Sequence, residues 1–128
     1  MLYMFLLYWN QDDGPDPSDD IMERHFAVLR RAQQNNAYIC SEAIGGTDGA
    51  TTVRVRAGKP TLTDGPYAEA KEVMGGFYIL DCKDLDEALD YAAQIPDASH
   101  GAVEVRAVRF VPGWPYSIGA DRERAPFE

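Results

Sequence analysis

Clustered basic side chains are absent from this chain of 128 residues, which carries 21 acidic and 12 basic residues and a net charge of −9. Binding to nucleic acid or to an anionic membrane surface depends on clustered Lys and Arg that displace counterions. We therefore expect neither nucleic acid nor a membrane as a partner. The chain length leaves room for one domain with one hydrophobic core.

Metal-binding and phosphate-binding motifs are also missing. The chain has two cysteines, Cys40 and Cys82, and two histidines, none of them at the spacing of a zinc site. It has no glycine-rich phosphate loop, nucleophile elbow or dinucleotide fingerprint. We therefore predict no metal and no cofactor. The cysteines fall in apolar segments and are interpreted as small hydrophobic side chains, with a disulfide between them left open.

A long hydrophobic segment is lacking as well. The apolar stretch at residues 2–9 is too short to cross a bilayer, and it has neither the positive start nor the small-residue cleavage site of an export signal. Its aromatic and aliphatic side chains instead predict a strand covered on both faces. We therefore expect a cytoplasmic protein.

Two amphipathic helices are predicted. Residues 18–35 follow a polar loop and carry apolar side chains at helical spacing, and either Ser18 or Asp19 is suited to cap this helix. Residues 84–96 begin with an Asp and a Glu spaced as in a capping box, continue with an apolar stripe and end at a proline.

Further strands are predicted at residues 37–43, 52–57, 74–82 and 102–110, with a short edge segment at 59–63. Residues 52–57 alternate apolar and polar side chains, which predicts a half-buried strand paired in a hairpin with 37–43. The order of strand, helix, strand, strand, helix, strand is typical of a ferredoxin-like βαββαβ fold of the α+β class, with one antiparallel sheet and both helices on one face. We predict this domain for residues 1–111 and an extended Pro-rich arm for residues 112–128.

The stretch between the predicted strands 59–63 and 74–82 is rich in residues that favour turns and other irregular backbone conformations. Asp64, Gly65 and Pro66 form a corner, in which the Asp side chain can accept a hydrogen bond from the backbone two residues on. This corner is either a rigid turn or a fixed carboxylate at the mouth of a pocket. Gly75 and Gly76 lie within a strand, where glycine indicates a bulge or a close approach by a ligand, a partner strand or a helix.

His25 is the candidate acid–base residue. It lies four residues from both Ile21 and Leu29, and therefore on or beside the helix face turned toward the sheet. It is either a histidine at the edge of the core or a general base or acid oriented by a carboxylate, for which Asp64 is our candidate. His100 lies in a predicted loop and is interpreted as exposed.

Charged side chains complete the candidate site. Arg54 projects from one face of its strand and is suited either to an anionic group or to acidic residues on the facing surface. Arg106 and Arg109 fall on opposite faces of the last strand, so one of them needs a carboxylate partner or a ligand. The charged residues after the corner are either a solvated loop or ligand contacts. The predicted ligand-binding residues are Arg54, Gly65, Pro66, Tyr67, Glu69, Lys71, Gly75, Gly76 and Arg106.

These motifs resemble the YCII-related family in its DGPF-motif branch. The resemblance rests on "ATTVR", "TDGPYAEAKE", "GGFYILD", "DLDEAL" and "VEVR" in this order, and it spans nearly the whole body of the chain. Tyr67 stands where the branch name has Phe, and the Pro-rich tail lies outside the match. The resemblance implies a ferredoxin-like unit that forms a homodimer sheet to sheet, as in dimeric α+β barrels.

For activity, the resemblance implies only a general class. Related YCII proteins are proposed enzymes with a His–Asp pair, and relatives of the fold handle small ring-shaped or lactone metabolites. By this analogy His25 and Asp64 would carry out lyase-like or isomerase-like proton transfer on a small organic metabolite. Genes of the DGPF branch often lie beside those of extracytoplasmic-function sigma factors. The alternative is therefore a non-catalytic module that senses a ligand or docks a partner linked to sigma-factor regulation.

Overall fold

A computed structural model describes residues 1–68, 70–115, 117–119 and 121–126 of the chain. Its strands are β1 (Leu2–Asn10), β2 (Tyr38–Ala43), β3 (Thr51–Arg56), β4 (Lys59–Asp64), β5 (Glu72–Asp81) and β6 (Ala102–Ala107). Its helices are α1 (Ile21–Gln34), α2 (Leu85–Gln94) and the short α3 (Asp97–His100).

Four strands form one antiparallel sheet in the order β2-β5-β1-β6, so β1 and β5 are hydrogen-bonded on both sides. Strands β3 and β4 form a separate two-stranded hairpin between β2 and β5 in the chain. Apart from this hairpin and α3, the elements follow the βαββαβ order. The predicted α+β fold with a ferredoxin-like arrangement is confirmed.

The hydrophobic core lies between the sheet and the two longer helices. Alternate residues of β1 and β5 supply the sheet side of this core, and α1 and α2 supply the other side. Its members include Tyr3, Phe5, Leu7, Val28, Ala32, Tyr78, Leu80, Ala88, Tyr91 and Ala92. Burying each large apolar side chain stabilises the fold by about 1.5–3 kcal/mol. The other sheet face carries side chains that are only half-buried, namely Met4, Leu6, Phe77 and Ile79.

The predicted hairpin between residues 37–43 and 52–57 is wrong. Strand β2 pairs with β5, whereas β3 pairs with β4 around a tight turn at Ala57 and Gly58, whose φ angles are 50° and 74°. Positive φ at both turn residues matches the twist of a two-residue hairpin, which makes the adjacent strand the preferred partner. Val53 and Val55 are 58% and 57% exposed, so β3 is not half-buried as predicted.

The start of α1 differs from the prediction in its cap. Asp20 occupies the capping position, and its side chain makes no capping hydrogen bond. The predicted cap Ser18 instead donates a hydrogen bond of 2.5 Å from its hydroxyl to Asp16. The loop before α1 therefore ends in a local turn that holds the Asp16 carboxylate in place.

The second predicted helix has the expected capping residue. The carboxylate of Asp84 accepts a 2.9 Å hydrogen bond from the backbone N–H of Glu87, as the capping-box pattern indicates. The residues directly after this helix form α3 instead of the predicted loop. His100 at the end of α3 is half-buried, with its Nε2 2.9 Å from the Gly14 carbonyl oxygen, and the prediction of an exposed loop residue is wrong.

The C-terminal arm folds back onto the body. The backbone N–H of Leu2 donates a 2.8 Å hydrogen bond to the Glu123 carbonyl. Arg122 lies 2.9 Å from the Asp81 carboxylate, and both side chains are largely buried. The arm thus contacts the beginning of β1 and the end of β5, at the end of the sheet away from the bulge described below.

Both cysteines are free thiols. Cys82 is buried in the core, and Cys40 is half-buried on β2. Their interpretation as small hydrophobic side chains is confirmed.

Candidate functional site

The pair Gly75 and Gly76 lies at a β-bulge in β5. The register of β5 against β1 skips Gly75, which leaves this residue without a register partner in β1. A Cβ atom on Gly76 would lie 2.8 Å from the Glu42 carbonyl oxygen, and one on Gly75 would lie 2.5 Å from Nε1 of Trp9. The predicted bulge and close approach are confirmed, and the approaching groups are the backbone of β2 and an indole ring.

The bulge forms one wall of a cavity of about 400 Å³ between the sheet and α1. This volume lies within the range of about 300–1,000 Å³ that is usual for small-molecule sites. Apolar side chains make up most of the walls, including Trp9, Ile21, Met22, Phe26 and Leu29. The polar side chains at the cavity include Asp16, His25, Tyr78 and Asp97.

His25 lies at the centre of a polar cluster on this wall. It projects from the middle of α1, and its Nδ1 is hydrogen-bonded to the Tyr78 hydroxyl. Its Nε2 lies 3.3 Å from Oδ1 of Asp97, and the two side chains are 20% and 18% exposed. The three side chains form a row Tyr78–His25–Asp97, the pattern in which a carboxylate orients an imidazole.

The Tyr78 hydroxyl remains protonated at neutral pH. Burial, then the nearby Asp97 carboxylate and Tyr38, raise the pKa of Tyr78 well above its ordinary value. In the neutral tautomer whose Nδ1 carries no hydrogen, the hydroxyl donates its hydrogen bond to Nδ1. The ring hydrogen of neutral His25 is then on Nε2, on the side of Asp97.

Asp97 is the first residue of α3 and directly follows Pro96. Its Oδ1 is buried and makes no hydrogen bond of good geometry with any residue that the structure describes, although Nε2 of His25 lies 3.3 Å away. A buried carboxylate oxygen is costly without a compensating charge or donor. The imidazole of His25 is the group placed beside this oxygen.

Asp64 is not brought to His25. It is exposed at the end of β4, where it pairs with Thr51, and it is not among the residues that line the cavity. Gly65 has a φ of 111°, and its N–H donates a 2.8 Å hydrogen bond to the Ala50 carbonyl, so the corner closes the base of the hairpin. The carboxylate beside His25 is that of Asp97, and a catalytic role for Asp64 stays a prediction.

The predicted arginines lie outside the cavity. Arg54 is placed over the ring of Tyr67, 5.5 Å from its centroid, and both residues belong to the region of the hairpin. Arg106 projects from the half-buried face of the sheet, opposite Met4 in the register and 4.0 Å from Glu104. The structure thus brings two predicted ligand residues together, Arg54 and Tyr67, but it places them away from His25.

Two other predicted residues line a second, more polar surface cleft. Pro66 and Lys71 contribute to a cleft of about 550 Å³ together with Gln11, Asp12 and Thr47. The predicted residue Glu69 lies outside the described residues. The candidate site residues therefore lie in several places, with His25, Gly75 and Gly76 at the apolar cavity, Arg106 on the half-buried face of the sheet, and the hairpin and corner residues elsewhere.

Sequence reasoning did not identify Tyr78 and Asp97. Tyr78 follows the glycine pair by two residues and so lies on the same face of β5 as the cavity, a signal that the alternation of the strand contains. Asp97 carried no comparable signal, because the residues after Pro96 read as a loop. Asp16 can be identified as a residue of the cavity wall only from the structure, in which hydrogen bonds from Ser18 hold its carboxylate.

Two absences hold for the part of the chain that the structure describes. None of its helices is long and apolar enough to cross a membrane. No group of three or more His, Cys, Asp and Glu side chains is placed so as to hold a metal ion.

The strand order, the helix-covered core and the cavity define an α+β protein of the ferredoxin-like class. Residues 1–112 match the model of the YCII-related domain. The chain is also 38% identical over 114 residues to an uncharacterized protein of Rhizobium meliloti (strain 1021), which covers 83% of this chain and 90% of that protein. The protein belongs to the YCII-related family. Its placement in the DGPF-motif branch stays a prediction.

Proposed function

We propose that this protein binds a small organic molecule in the cavity beside His25 and transfers a proton to or from it. One observation carries the proposal: the Tyr78–His25–Asp97 row lies on the wall of an apolar cavity of about 400 Å³. A mostly apolar pocket with a few convergent polar groups is the usual form of a small-molecule site. The ordinary titration of imidazole falls close to neutral pH, which suits it to accept and return a proton.

The row supplies a path for the proton. A proton that leaves the ligand is taken by the Tyr78 oxygen while the hydroxyl's own proton passes to Nδ1 of His25. No tyrosinate accumulates, in keeping with the raised pKa of Tyr78. The resulting imidazolium has its Nε2–H facing the Asp97 carboxylate, 3.3 Å away, which balances the new charge. The reverse steps return the proton to another atom of the ligand, which is an isomerisation, or follow the loss of a leaving group, which is an elimination.

A homodimer through the open face of the sheet is part of the proposal. Its support is the family resemblance and the row of half-buried apolar side chains on β1 and β5, which includes Met4, Leu6, Phe77 and Ile79. This face lies on the side of the sheet opposite to the helices. A second copy that covers it would leave the cavity beside α1 open to ligand.

The alternative is a docking module linked to sigma-factor regulation. Its support is the family resemblance and two large apolar side chains on either side of the point where the arm begins, Phe110 and Trp114, which are 53% and 58% exposed. Replacing Phe110 and Trp114 by Ala should weaken capture of such a partner without changing ligand binding at His25.

A thermal-shift screen against small ring-shaped and lactone compounds tests ligand binding. A ligand at about a hundred times its Kd adds roughly 2.7 kcal/mol to the free energy of unfolding, a shift that is readily measured in a domain of this size. We expect the stabilisation by a hit to vanish in His25→Ala, to weaken in Asp97→Asn, and to persist in the matched control Asp64→Asn. A hit that persists in His25→Ala, or that vanishes in Asp64→Asn, would refute the assignment of the site to this cavity.

Proton transfer is measured separately with the same hit. In D₂O, proton NMR should show loss of a ligand C–H signal adjacent to a carbonyl, because the proton taken up by the row exchanges with solvent. We expect His25→Gln to bind the ligand and to lose this exchange. Exchange at the wild-type rate in His25→Gln would leave a binding protein without the proposed chemistry.

A further inference from the structure

The charge of the cavity walls bears on which ligands they accept. Among the described residues, no lysine or arginine lines this cavity, whereas Asp16 and Asp97 do. Glu42 also lies at the cavity, but its register partner is Phe77, which places its side chain on the opposite face of the sheet and leaves its backbone at the wall. The cavity thus has two carboxylates and no lining cation that would hold an anionic group.

Asp16 contributes a permanent negative charge. Hydrogen bonds from the side chain and the backbone of Ser18, with a smaller effect of Arg24, hold the pKa of Asp16 below its ordinary value. Its side chain is 12% exposed, so this charge is fixed in the wall. Arg24 lies 3.3 Å from its other oxygen and offsets part of the charge, but it is not among the lining residues.

The remaining wall is suited to a ring. Trp9 presents an indole beside Gly75, and Met22 and Phe26 remain 58% and 45% exposed on the side of α1 that borders the cavity. Aromatic and flexible apolar side chains of this kind pack against planar rings. The same apolar surroundings make the removal of a carboxylate from water unfavourable, since no cation repays that cost.

We propose that the ligand of this cavity is an uncharged ring compound and that the walls discriminate against its carboxylate analogues. The inference rests on the proposed function, because it concerns the same site. It replaces the expectation that an arginine holds an anionic group of the substrate, since Arg54 and Arg106 lie elsewhere.

Phenylacetamide and phenylacetate are a matched pair of probes, nearly equal in shape and different in charge. Each is titrated into the full-length ¹⁵N-labelled protein while the indole N–H signals are followed. The chain has two tryptophans, so Trp9 reports on the cavity and Trp114, in the C-terminal arm, is an internal control. We expect the amide to shift the Trp9 signal with a Kd at least about tenfold lower than that of the acid.

Two variants change the charge at the wall in opposite directions. In Asp16→Asn the ratio of the Kd of the acid to the Kd of the amide should fall severalfold, because a negative charge is lost and Arg24 is left uncompensated. In Arg24→Gln the ratio should rise. A ratio that does not respond to either folded variant would overturn the proposal.

The outcomes separate this inference from the proposed function. Binding of the acid at Trp9 as tightly as the amide overturns the charge preference and leaves the proposed function intact. If neither probe shifts the Trp9 signal at about 10 mM, above the millimolar Kd expected for fragments of this size, both proposals fail.

Discussion

Strand β1 is a nearly continuous run of apolar residues, whereas the hairpin β3–β4 carries apolar side chains only at Val53, Val55 and Leu62, and the two sets are buried to very different extents. Phe5 of β1 is fully buried, whereas Val55 of β3 and Leu62 of β4 are 57% and 68% exposed. Strand β1 is hydrogen-bonded on both sides and lies beneath two helices, while β3 and β4 pair only with each other. An alternating pattern therefore shows that a strand has an apolar face, but not what covers that face.

The hairpin is closed at its base by hydrogen bonds between its own two ends. The hydroxyl of Thr52 donates a 2.8 Å hydrogen bond to the Gly65 carbonyl, and the N–H of Gly65 donates to Ala50. A lone two-stranded hairpin is only marginally stable in water. The comparison therefore predicts that mutations in the sheet and in the hairpin differ strongly in their effect on stability.

The largest effect is expected in the core. Replacing Phe5 by Ala leaves a cavity beneath both helices and should lower the free energy of unfolding by about 3–5 kcal/mol. Urea denaturation followed by circular dichroism measures this loss. The hairpin change Val53→Ala is the control, and equal losses in the two variants would mean that the hairpin face is buried in solution.

An intermediate effect is expected at the bulge. A Cβ atom on Gly76 would lie 2.8 Å from the Glu42 carbonyl oxygen, so Gly76→Ala must displace the backbone of β2. Such overpacking costs about 1–3 kcal/mol, and it should also weaken ligand binding at the cavity wall. Thermal unfolding with and without ligand measures both effects.

Gly45→Ala is the matched control for this change, because a Cβ atom at Gly45 would have no neighbour within 4 Å. If Gly45→Ala destabilises the protein as much as Gly76→Ala does, the close approach of β2 is not the cause.

The smallest effect is expected on the exposed face of the hairpin. The double change Val53→Thr and Val55→Thr keeps side-chain shape and β-propensity, and it should alter the free energy of unfolding by less than about 0.5 kcal/mol. Denaturation at two protein concentrations, with sedimentation velocity alongside, is the measurement. A loss above about 1 kcal/mol that accompanies dissociation would show that another copy covers this face.

Local signals in the sequence predicted much of the fold and part of the site. The helix cap at Asp84, the bulge at the glycine pair and the helical face of His25 depend on residues close together in the chain, and all three are present. The partner of β2 was predicted wrongly because a hairpin with the next strand is the simplest local choice. Which strand β2 prefers depends on β5 and on the turn at Ala57 and Gly58.

The partner of His25 could not be predicted for a related reason. Asp64 and Asp97 are both acidic residues near a proline, and composition does not distinguish them. Their positions depend on the hairpin, which carries Asp64 away from the sheet, and on α3, which places Asp97 beside α1. Long-range packing decides between them, and a single sequence contains little information about it.

The position of β1 in the sheet has a consequence for the order in which the chain folds. The first strand of the chain has only late partners: Leu2 pairs with Asp81 in β5, and Tyr3 pairs with Ala107 in β6. Contacts between such distant segments form slowly because a long loop must close first, whereas the β3–β4 hairpin closes a short one. The peripheral hairpin should therefore appear early, and the central strand should wait, unpaired and apolar, until synthesis has passed β5, and should gain its second partner only after β6. The growing chain is most exposed to aggregation during that interval.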